Sequence, residues 1–212
     1  MKCLSGSMKI LIINYGMGNL MSVGNALEHL GCQYLISDRW EDVKGADAYI
    51  LPGVGAFGEA MKNLRERNII APLSEQILSK KKPILGICLG MQLIAQNSEE
   101  GGYYKGLEWM ESSVIKLRVQ NGCRLPHVGW NNLEVKEKEP MFNNLPDHPN
   151  FYFDHTYQFI CNEKYVLAKC GYATEVIAAI RNENIFGTQF HPEKSQVNGL
   201  KFLRNFTEYL KL

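Results

Sequence analysis

The sequence predicts an α/β fold in which a doubly wound, mostly parallel sheet carries an antiparallel section. Two observations lead to this prediction. Up to Gln96, short apolar runs typical of buried strands alternate with amphipathic stretches typical of helices, which is the pattern of a parallel sheet wrapped by helices. Between residues 107 and 170 the pattern changes to short β-prone runs broken by Gly, Pro and Asn, which is typical of antiparallel strands.

Length and composition agree with one globular domain. The chain has 212 residues, of which 45% are hydrophobic and 21% charged, and its formal net charge is +1. No stretch approaches the roughly 20 apolar residues of a membrane span, and the cationic run Lys80–Lys82 closes a predicted helix, so we expect no membrane or nucleic-acid partner. We expect a single domain over residues 8–212, preceded by an extension over residues 1–7 that is too short and polar for a signal peptide.

The six cysteines indicate a reducing environment. They form no C-x-x-C pair and no secretory signal precedes them, so we expect free thiols in the cytoplasm rather than a disulfide framework. The sequence also lacks the Cys and His spacings of structural zinc sites. We therefore expect neither a metal nor a cofactor.

The first strands and helices follow from the apolar pattern. Residues 9–14 are a near-continuous apolar run, which predicts a strand buried on both faces. After a glycine turn at residues 15–19, apolar residues recur at helical spacing until Gly31, a typical helix stop. Short strands are predicted at residues 33–36 and 47–51.

The third predicted strand runs directly into Pro52–Gly55, with the sequence P-G-V-G. Open α/β proteins place ligands at the carboxyl edge of the sheet, and glycines let a backbone N–H turn towards an anion. A plain tight turn before the helix that carries Phe57, Met61 and Leu64 explains the same residues equally well. Residues 69–80 are also predicted to be helical.

The stretch Pro83–Gln92 reads as a buried strand, a cysteine flanked by glycines, and a helix start. Gly86 and Gly90 lie two residues on either side of Cys88, which makes this the thiol version of the nucleophile elbow G-x-S-x-G. A sharp strand-to-helix turn requires small flanking residues, and it places the sulfur at a helix N-terminus that favours the thiolate. The alternative is an ordinary buried cysteine in such a turn.

The second half of the chain is predicted to be mainly β. The expected strands of its antiparallel section are residues 114–119, 132–135, 151–160 and 165–170. Residues 175–181 and 185–189 are predicted to form a hairpin, and apolar residues at helical spacing from Val197 to Leu210 predict a closing amphipathic helix.

Nucleophilic cysteine chemistry needs a base and a group that orients the base. His191 lies at the end of the last predicted strand, and Glu193 follows two residues later. Residues i and i+2 of an extended segment point the same way, so this carboxylate can reach the imidazole, and Cys88, His191 and Glu193 are the candidate triad. His127 and His155 lie in β-prone segments and are expected to be hydrogen-bonded core or rim histidines.

Five sequence strings together resemble the class I (triad) glutamine amidotransferases. The general strings are G-I-C-L-G-M-Q (86–92), Q-F-H-P-E-K (189–194) and P-G-V-G (52–55). The strings N-Y-G-M-G-N-L (14–20) and P-H-V-G-W-N (126–131) narrow the resemblance to the glutaminase subunits of imidazole glycerol phosphate synthases. The resemblance covers essentially the whole predicted domain.

This resemblance implies a flavodoxin-like core and hydrolysis of L-glutamine to glutamate and ammonia through a thioester on Cys88. It further implies a heterodimer in which the ammonia passes to a cyclase (synthase) subunit for histidine biosynthesis. One alternative is a paralogous glutaminase that supplies an amino-sugar synthase for surface glycans. A more remote alternative is a cysteine hydrolase or peptidase of the same fold.

The resemblance also implies roles for individual residues. The expected catalytic residues are Cys88, His191 and Glu193. The expected oxyanion stabilisers are the backbone groups of Gly53, Val54 and Leu89. The expected substrate-binding residues are Gly55, Gln92, Glu100, Thr156 and Tyr157, with Glu100 meeting the α-ammonium and the last two meeting the α-carboxylate through their backbone. Lys194 is expected to face the partner, and Asp154 stands where the family usually has an apolar residue.

Overall fold

The computed structural model describes residues 8–119, 122–136 and 139–210, so the predicted extension over residues 1–7 lies outside the described residues. The strands are β1 (Ile10–Ile13), β2 (Tyr34–Ser37), β3 (Ala48–Gly53), β4 (Ile84–Cys88), β5 (Asn97–Ser98), β6 (Tyr104–Lys105), β7 (Ser112–Lys116), β8 (His127–Asn132), β9 (Glu134–Val135), β10 (Asn150–His155), β11 (Tyr157–Cys161), β12 (Val166–Tyr172), β13 (Thr174–Asn182) and β14 (Ile185–Thr188). The helices are α1 (Leu20–His29), α2 (Trp40–Gly45), α3 (Phe57–Glu66), α4 (Ile70–Ser74), α5 (Leu89–Leu93) and α6 (Gln196–Tyr209).

An eight-stranded mixed sheet organises the fold, with the strand order β2-β1-β3-β4-β14-β13-β12-β9. The first five strands in this order pair in parallel, and the pairs from β14 to β9 are antiparallel. This confirms the predicted fold class. The register places Gly53 at the end of β3 beside Cys88 at the end of β4, so the P-G-V-G turn and the cysteine elbow meet at one edge of the sheet.

Both faces of the main sheet are covered, which explains the continuous apolar character of its first strand. Leu11 and Ile13 of β1 pack into one buried cluster, together with Phe57 of α3. Ile10 and Ile12 pack into a second cluster on the other face. A strand with one apolar layer on each side has no polar face, as expected for a parallel sheet.

The antiparallel section that the sequence predicts is divided between the main sheet, which contains β9 and β12, and two smaller sheets. β10 pairs with β8, and a separate sheet has the order β11-β7-β5-β6. The predicted strand over residues 151–160 is therefore two strands that meet at Thr156 and belong to different sheets. His155 pairs with His127 of β8, whereas Tyr157 pairs with Lys116 of β7. β propensity is continuous through this segment, so the exchange of partners leaves no signal in the sequence.

Other elements agree with the sequence in part. The β13–β14 hairpin and the closing helix α6 are confirmed. The helix predicted over residues 69–80 is α4 continued by a π-helical segment (Glu75–Ser79). The sequence does not predict helix α2, since only Val43 of its six residues is buried and no apolar period can develop.

Within the described ranges, no helix is long and apolar enough to cross a membrane. The described cysteines are all free, as expected for a chain without a disulfide framework. Cys88 and Cys170 are buried, and Cys32, Cys123 and Cys161 are partly exposed.

Candidate active site

The cysteine elbow has the strained geometry that its sequence predicts. Cys88 ends β4 and precedes α5 with φ 53° and ψ −108°, a region that residues other than glycine rarely adopt. A Cβ on Gly90 would run into the backbone carbonyl of Leu51, and one on Gly86 would lie 2.7 Å from the Met91 nitrogen. Both flanking glycines are therefore required by the close approach of the neighbouring backbone.

His191 and Glu193, the predicted base and its orienting carboxylate, form a buried pair. His191 Nδ1 and Glu193 Oε1 are 2.8 Å apart, and their side chains are only 2% and 3% exposed. Burial alone would lower the pKa of His191, but the nearby Cys88 sulfur and the Glu193 carboxylate outweigh it and raise this pKa to about 10. The Cys88 sulfur is close enough to the ring to raise this pKa both by its charge and by hydrogen bonding, although Nε2 makes no hydrogen bond of standard geometry to the described residues.

The contact between His191 and Glu193 arises from a different backbone than the sequence predicts. Strand β14 ends at Thr188, and Pro192–Lys194 form a 3₁₀ turn with His191 at its start. The i, i+2 contact is therefore closed by a tight turn instead of an extended segment. Proline fixes its φ near the helical range, which favours such a turn directly after the histidine.

A cavity of about 230 Å³ opens beside the cysteine. Its lining residues are Val54, Gly55, Cys88, Leu89, Gln92, Glu100, Pro126, Asp154, His155, Thr156 and Tyr157. It therefore brings together all the predicted substrate-binding residues and two of the three predicted oxyanion residues. Gly53 lies behind the wall, where a Cβ would come within 2.9 Å of the Leu89 Cβ and against the Tyr15 hydroxyl. Lys194 lies outside the cavity, 5.5 Å above the Tyr152 ring.

Two of the lining side chains are already engaged with the protein. Gln92 is 4% exposed, and its Nε2 donates to the Tyr157 carbonyl at 2.9 Å and to Gln189 Oε1 at 3.0 Å. Glu100 Oε2 accepts from the backbone N–H of Phe57, the first residue of α3, at 2.8 Å. Glu100 thus caps a helix with one carboxylate oxygen and keeps the other for a further partner.

A pair of buried histidines lies beside the cavity, and one of them, His155, lines it. His127 Nδ1 and His155 Nε2 are 2.9 Å apart, and the His155 Nδ1–H donates to the Tyr157 carbonyl at 2.8 Å. Burial lowers the pKa of both rings to about 4, so both are neutral at pH 7. This confirms the expectation of hydrogen-bonded core histidines, and it pins the Tyr157 carbonyl from a second side.

Asp154 lies at the rim of the site, and the site holds no evident metal-binding cluster among the described residues. Asp154 is an exposed residue on β10, and its backbone carbonyl lies 3.7 Å from the Cys88 sulfur. The described residues contain no group of three or more His, Cys, Asp or Glu side chains placed to hold a metal ion.

Comparison with known proteins agrees with the geometry of this site. The family model for "Glutamine amidotransferase class-I" matches residues 11–209. The imidazole glycerol phosphate synthase subunit HisH 2 of Vibrio vulnificus (strain YJ016) is 47% identical over 97% of this chain and 96% of its own length. The subunit HisH 1 of Campylobacter jejuni subsp. jejuni serotype O:23/36 (strain 81-176) is 45% identical over 93% of this chain and 98% of its own length.

Solved structures share the fold at lower identity. A crystal structure of a glutamine amidotransferase has a TM-score of 0.75 at 21% identity and covers 95% of this chain and 99% of its own. The structure of PurLQS from Thermotoga maritima has a TM-score of 0.69 at 20% identity and covers 97% of this chain and 100% of its own. The chain therefore belongs to the class I glutamine amidotransferase family and, within it, to the HisH subunits of imidazole glycerol phosphate synthases.

Proposed function

We propose that this chain is the glutaminase subunit of an imidazole glycerol phosphate synthase, which hydrolyses L-glutamine and passes ammonia to a cyclase subunit in histidine biosynthesis. The observation that carries the proposal is Cys88, held in a strained turn at a cavity of about 230 Å³ with the buried His191–Glu193 pair behind it. The close relatives named above support the pathway. No cofactor enters the reaction.

The attacking group is the Cys88 thiolate, whose proton resides on Nε2 of His191, the ring nitrogen that Glu193 leaves free by bonding Nδ1; the raised pKa of His191 keeps that proton on the ring at neutral pH. The sulfur attacks the side-chain amide carbon of glutamine and a tetrahedral oxyanion forms. We assign its stabilisation to the backbone N–H of Leu89 and to the turn at Gly53 and Val54. These groups are adjacent because β3 and β4 pair in register at their ends.

Collapse of the oxyanion breaks the carbon–nitrogen bond, and His191 gives its proton to the departing ammonia. A thioester on Cys88 remains. His191 then takes a proton from water, which attacks the thioester, and glutamate leaves as the thiol is restored. Glu193 keeps the imidazole in the correct tautomer throughout.

The remaining cavity residues hold the two charged ends of glutamine. The free oxygen of Glu100 is assigned to the α-ammonium, since the other oxygen caps α3. The backbone N–H groups of Thr156 and Tyr157 are assigned to the α-carboxylate, and the two donors to the Tyr157 carbonyl hold this segment in place. Gly55 and Gln92 complete the wall.

Lys194 is assigned to the partner interface, because it follows the triad carboxylate in sequence but lies outside the cavity, above the ring of Tyr152. The domain is proposed to span residues 8–212 after an extension of residues 1–7. A cytoplasmic location is proposed as well, and the free thiols support it.

We propose that activity in the absence of the partner is low because the Gly53–Val54 peptide must rotate to aim its N–H at the oxyanion. The test is glutamate release from glutamine by the purified chain, alone and with the cyclase subunit of an imidazole glycerol phosphate synthase plus its nucleotide substrate. Strong stimulation is expected. Full activity of the isolated chain contradicts the gated turn.

The variant Cys88→Ala serves as the control in this assay. It should abolish glutamine hydrolysis and leave the cyclase able to use free ammonium. If the chain hydrolyses glutamine but no cyclase stimulates it, the assignment as a glutaminase stands and the assignment to histidine biosynthesis is rejected. An amino-sugar synthase would then be the next partner to test.

A further inference from the structure

The Cys88 sulfur has two polar contacts of opposite character within the described residues. It lies 3.7 Å from the Asp154 carbonyl, which can accept only from a protonated thiol. It lies 3.6 Å from Nε2 of Gln189, which donates to the sulfur. Both distances are within the range of sulfur hydrogen bonds. The second contact is the one that favours the negatively charged form needed for attack.

The orientation of the Gln189 amide is fixed by a chain of contacts that starts at a backbone carbonyl. The Tyr157 carbonyl can only accept, so the Gln92 atom 2.9 Å away is its NH₂ group. That same NH₂ lies 3.0 Å from Gln189, which must present its oxygen there. The Gln189 NH₂ is then the group that faces the sulfur, and the assignment does not depend on a choice between equivalent amide flips.

Burial makes this donor strong. Gln189 is 0% exposed and Gln92 is 4% exposed, so water does not compete for the amide groups. Because the Gln189 amide carries no charge, it can stabilise the thiolate without changing the charge on His191.

We propose that Gln189 is a further catalytic residue, whose side-chain amide donates a hydrogen bond to the Cys88 thiolate. The inference rests on the proposed function, in which Cys88 is the nucleophile. When the S–H bond breaks, the proton moves to His191 Nε2 and the electron pair stays on sulfur, where the amide stabilises it. Formation of the thioester consumes this charge. Hydrolysis of the thioester expels the sulfur as a thiolate again, and the same amide stabilises its negative charge.

The test compares alkylation of Cys88 by iodoacetamide in the intact chain and in Gln189→Met, which keeps the side-chain length and removes the donor. The rate at Cys88 is read by mass spectrometry of its peptide at neutral pH, with secondary structure checked by circular dichroism. Loss of a hydrogen bond to a charged group should slow alkylation about tenfold. Gln76→Met is the matched control, because Gln76 is 0% exposed and its amide makes no hydrogen bond to described residues.

Wild-type alkylation rates in folded Gln189→Met would overturn the proposal. Gln189→Leu is a second variant that also lacks the donor, and it gives the same two outcomes if the methionine variant does not fold. Iodoacetamide reacts without glutamine, so this result is independent of the glutaminase assignment. Absence of glutamine turnover with a partner present would reject the proposed function, whereas an unchanged alkylation rate with intact turnover would reject only the role of Gln189.

Discussion

The buried pair of His127 and His155 predicts a loss of stability in mild acid. The two rings share a hydrogen bond of 2.9 Å, and the residues are 2% and 6% exposed. The far side of His155 donates to the Tyr157 carbonyl, and the far side of His127 lies 3.3 Å from the amide nitrogen of Asn131. Each nitrogen therefore has a partner only while both rings are neutral, since a proton added to either ring would place two donors face to face.

The sign of the pH effect follows from the pKa values. Burial is the main cause that lowers the pKa of both histidines to about 4, and the neighbouring histidines His155 and His191 add to the shifts of His127 and His155 respectively. The reference pKa of an unfolded histidine is about 6.5. Between these values the unfolded chain binds protons that the folded chain does not. Stability therefore falls as the pH decreases from about 6.5 to about 4, and these groups add no further loss below that.

The size of the effect can be worked out from the same pKa values. From pH 7 to pH 5, each depressed histidine should remove about 2 kcal/mol from the free energy of unfolding. His191 has a raised pKa of about 10 and acts in the opposite direction, which offsets about 1 kcal/mol of the combined loss over this window. The net loss of about 2 to 3 kcal/mol is a large part of the roughly 5–15 kcal/mol of a typical domain.

Urea unfolding followed by circular dichroism at pH 5, 6 and 7 measures this loss directly. In His127→Gln the loss between pH 7 and pH 5 should shrink to about 1 kcal/mol, which is the loss due to His155 less the offset due to His191, whatever the absolute stability of the variant. His29→Gln is the matched control, because His29 is exposed at the end of α1. An unfolding free energy that does not fall from pH 7 to pH 5, or that falls equally in the native chain and His127→Gln, would refute the reasoning.

Three further changes should have distinct effects. Glu193→Gln should lower glutamine turnover about tenfold or more, because the amide no longer stabilises the protonated catalytic histidine; wild-type turnover in a glutamate assay contradicts this. Gly90→Ala should lower the free energy of unfolding in urea by about 3 kcal/mol or more, since its Cβ meets the Leu51 carbonyl. The control Gly45→Ala, whose Cβ meets nothing within 4 Å, should leave the free energy of unfolding unchanged. Tyr15→Phe should cost about 1 kcal/mol, because the hydroxyl donates to a buried carbonyl of β3 at 2.8 Å; an unchanged unfolding midpoint would argue against that bond.

Local patterns were sufficient to predict most of the fold. The apolar run at β1 and the glycines around Cys88 each reflect a physical requirement that lies within a few residues, namely burial on both faces and room at a sharp turn. Short elements without a clear period, such as α2, could not be predicted in this way.

The parts of the site that the sequence did not reveal depend on contacts between distant residues. His127 and His155 are 28 positions apart, and Gln189 meets Cys88 across 101 positions. The only sequence signal for Gln189 is its place two residues before His191 in the Q-F-H-P-E-K string. The strand break at Thr156 is set by which strands pair with each half, so it also required the three-dimensional arrangement.

The most direct test of the central claim is labelling of the chain with an electrophilic glutamine analogue, followed by mapping of the modified residue. The account predicts that Cys88 is modified and that the other cysteines are not, since Cys88 alone of the described cysteines lines the cavity assigned to glutamine. An excess of glutamine should protect it. Labelling at another cysteine, or equal labelling with and without glutamine, would contradict the assignment of this cavity as the active site.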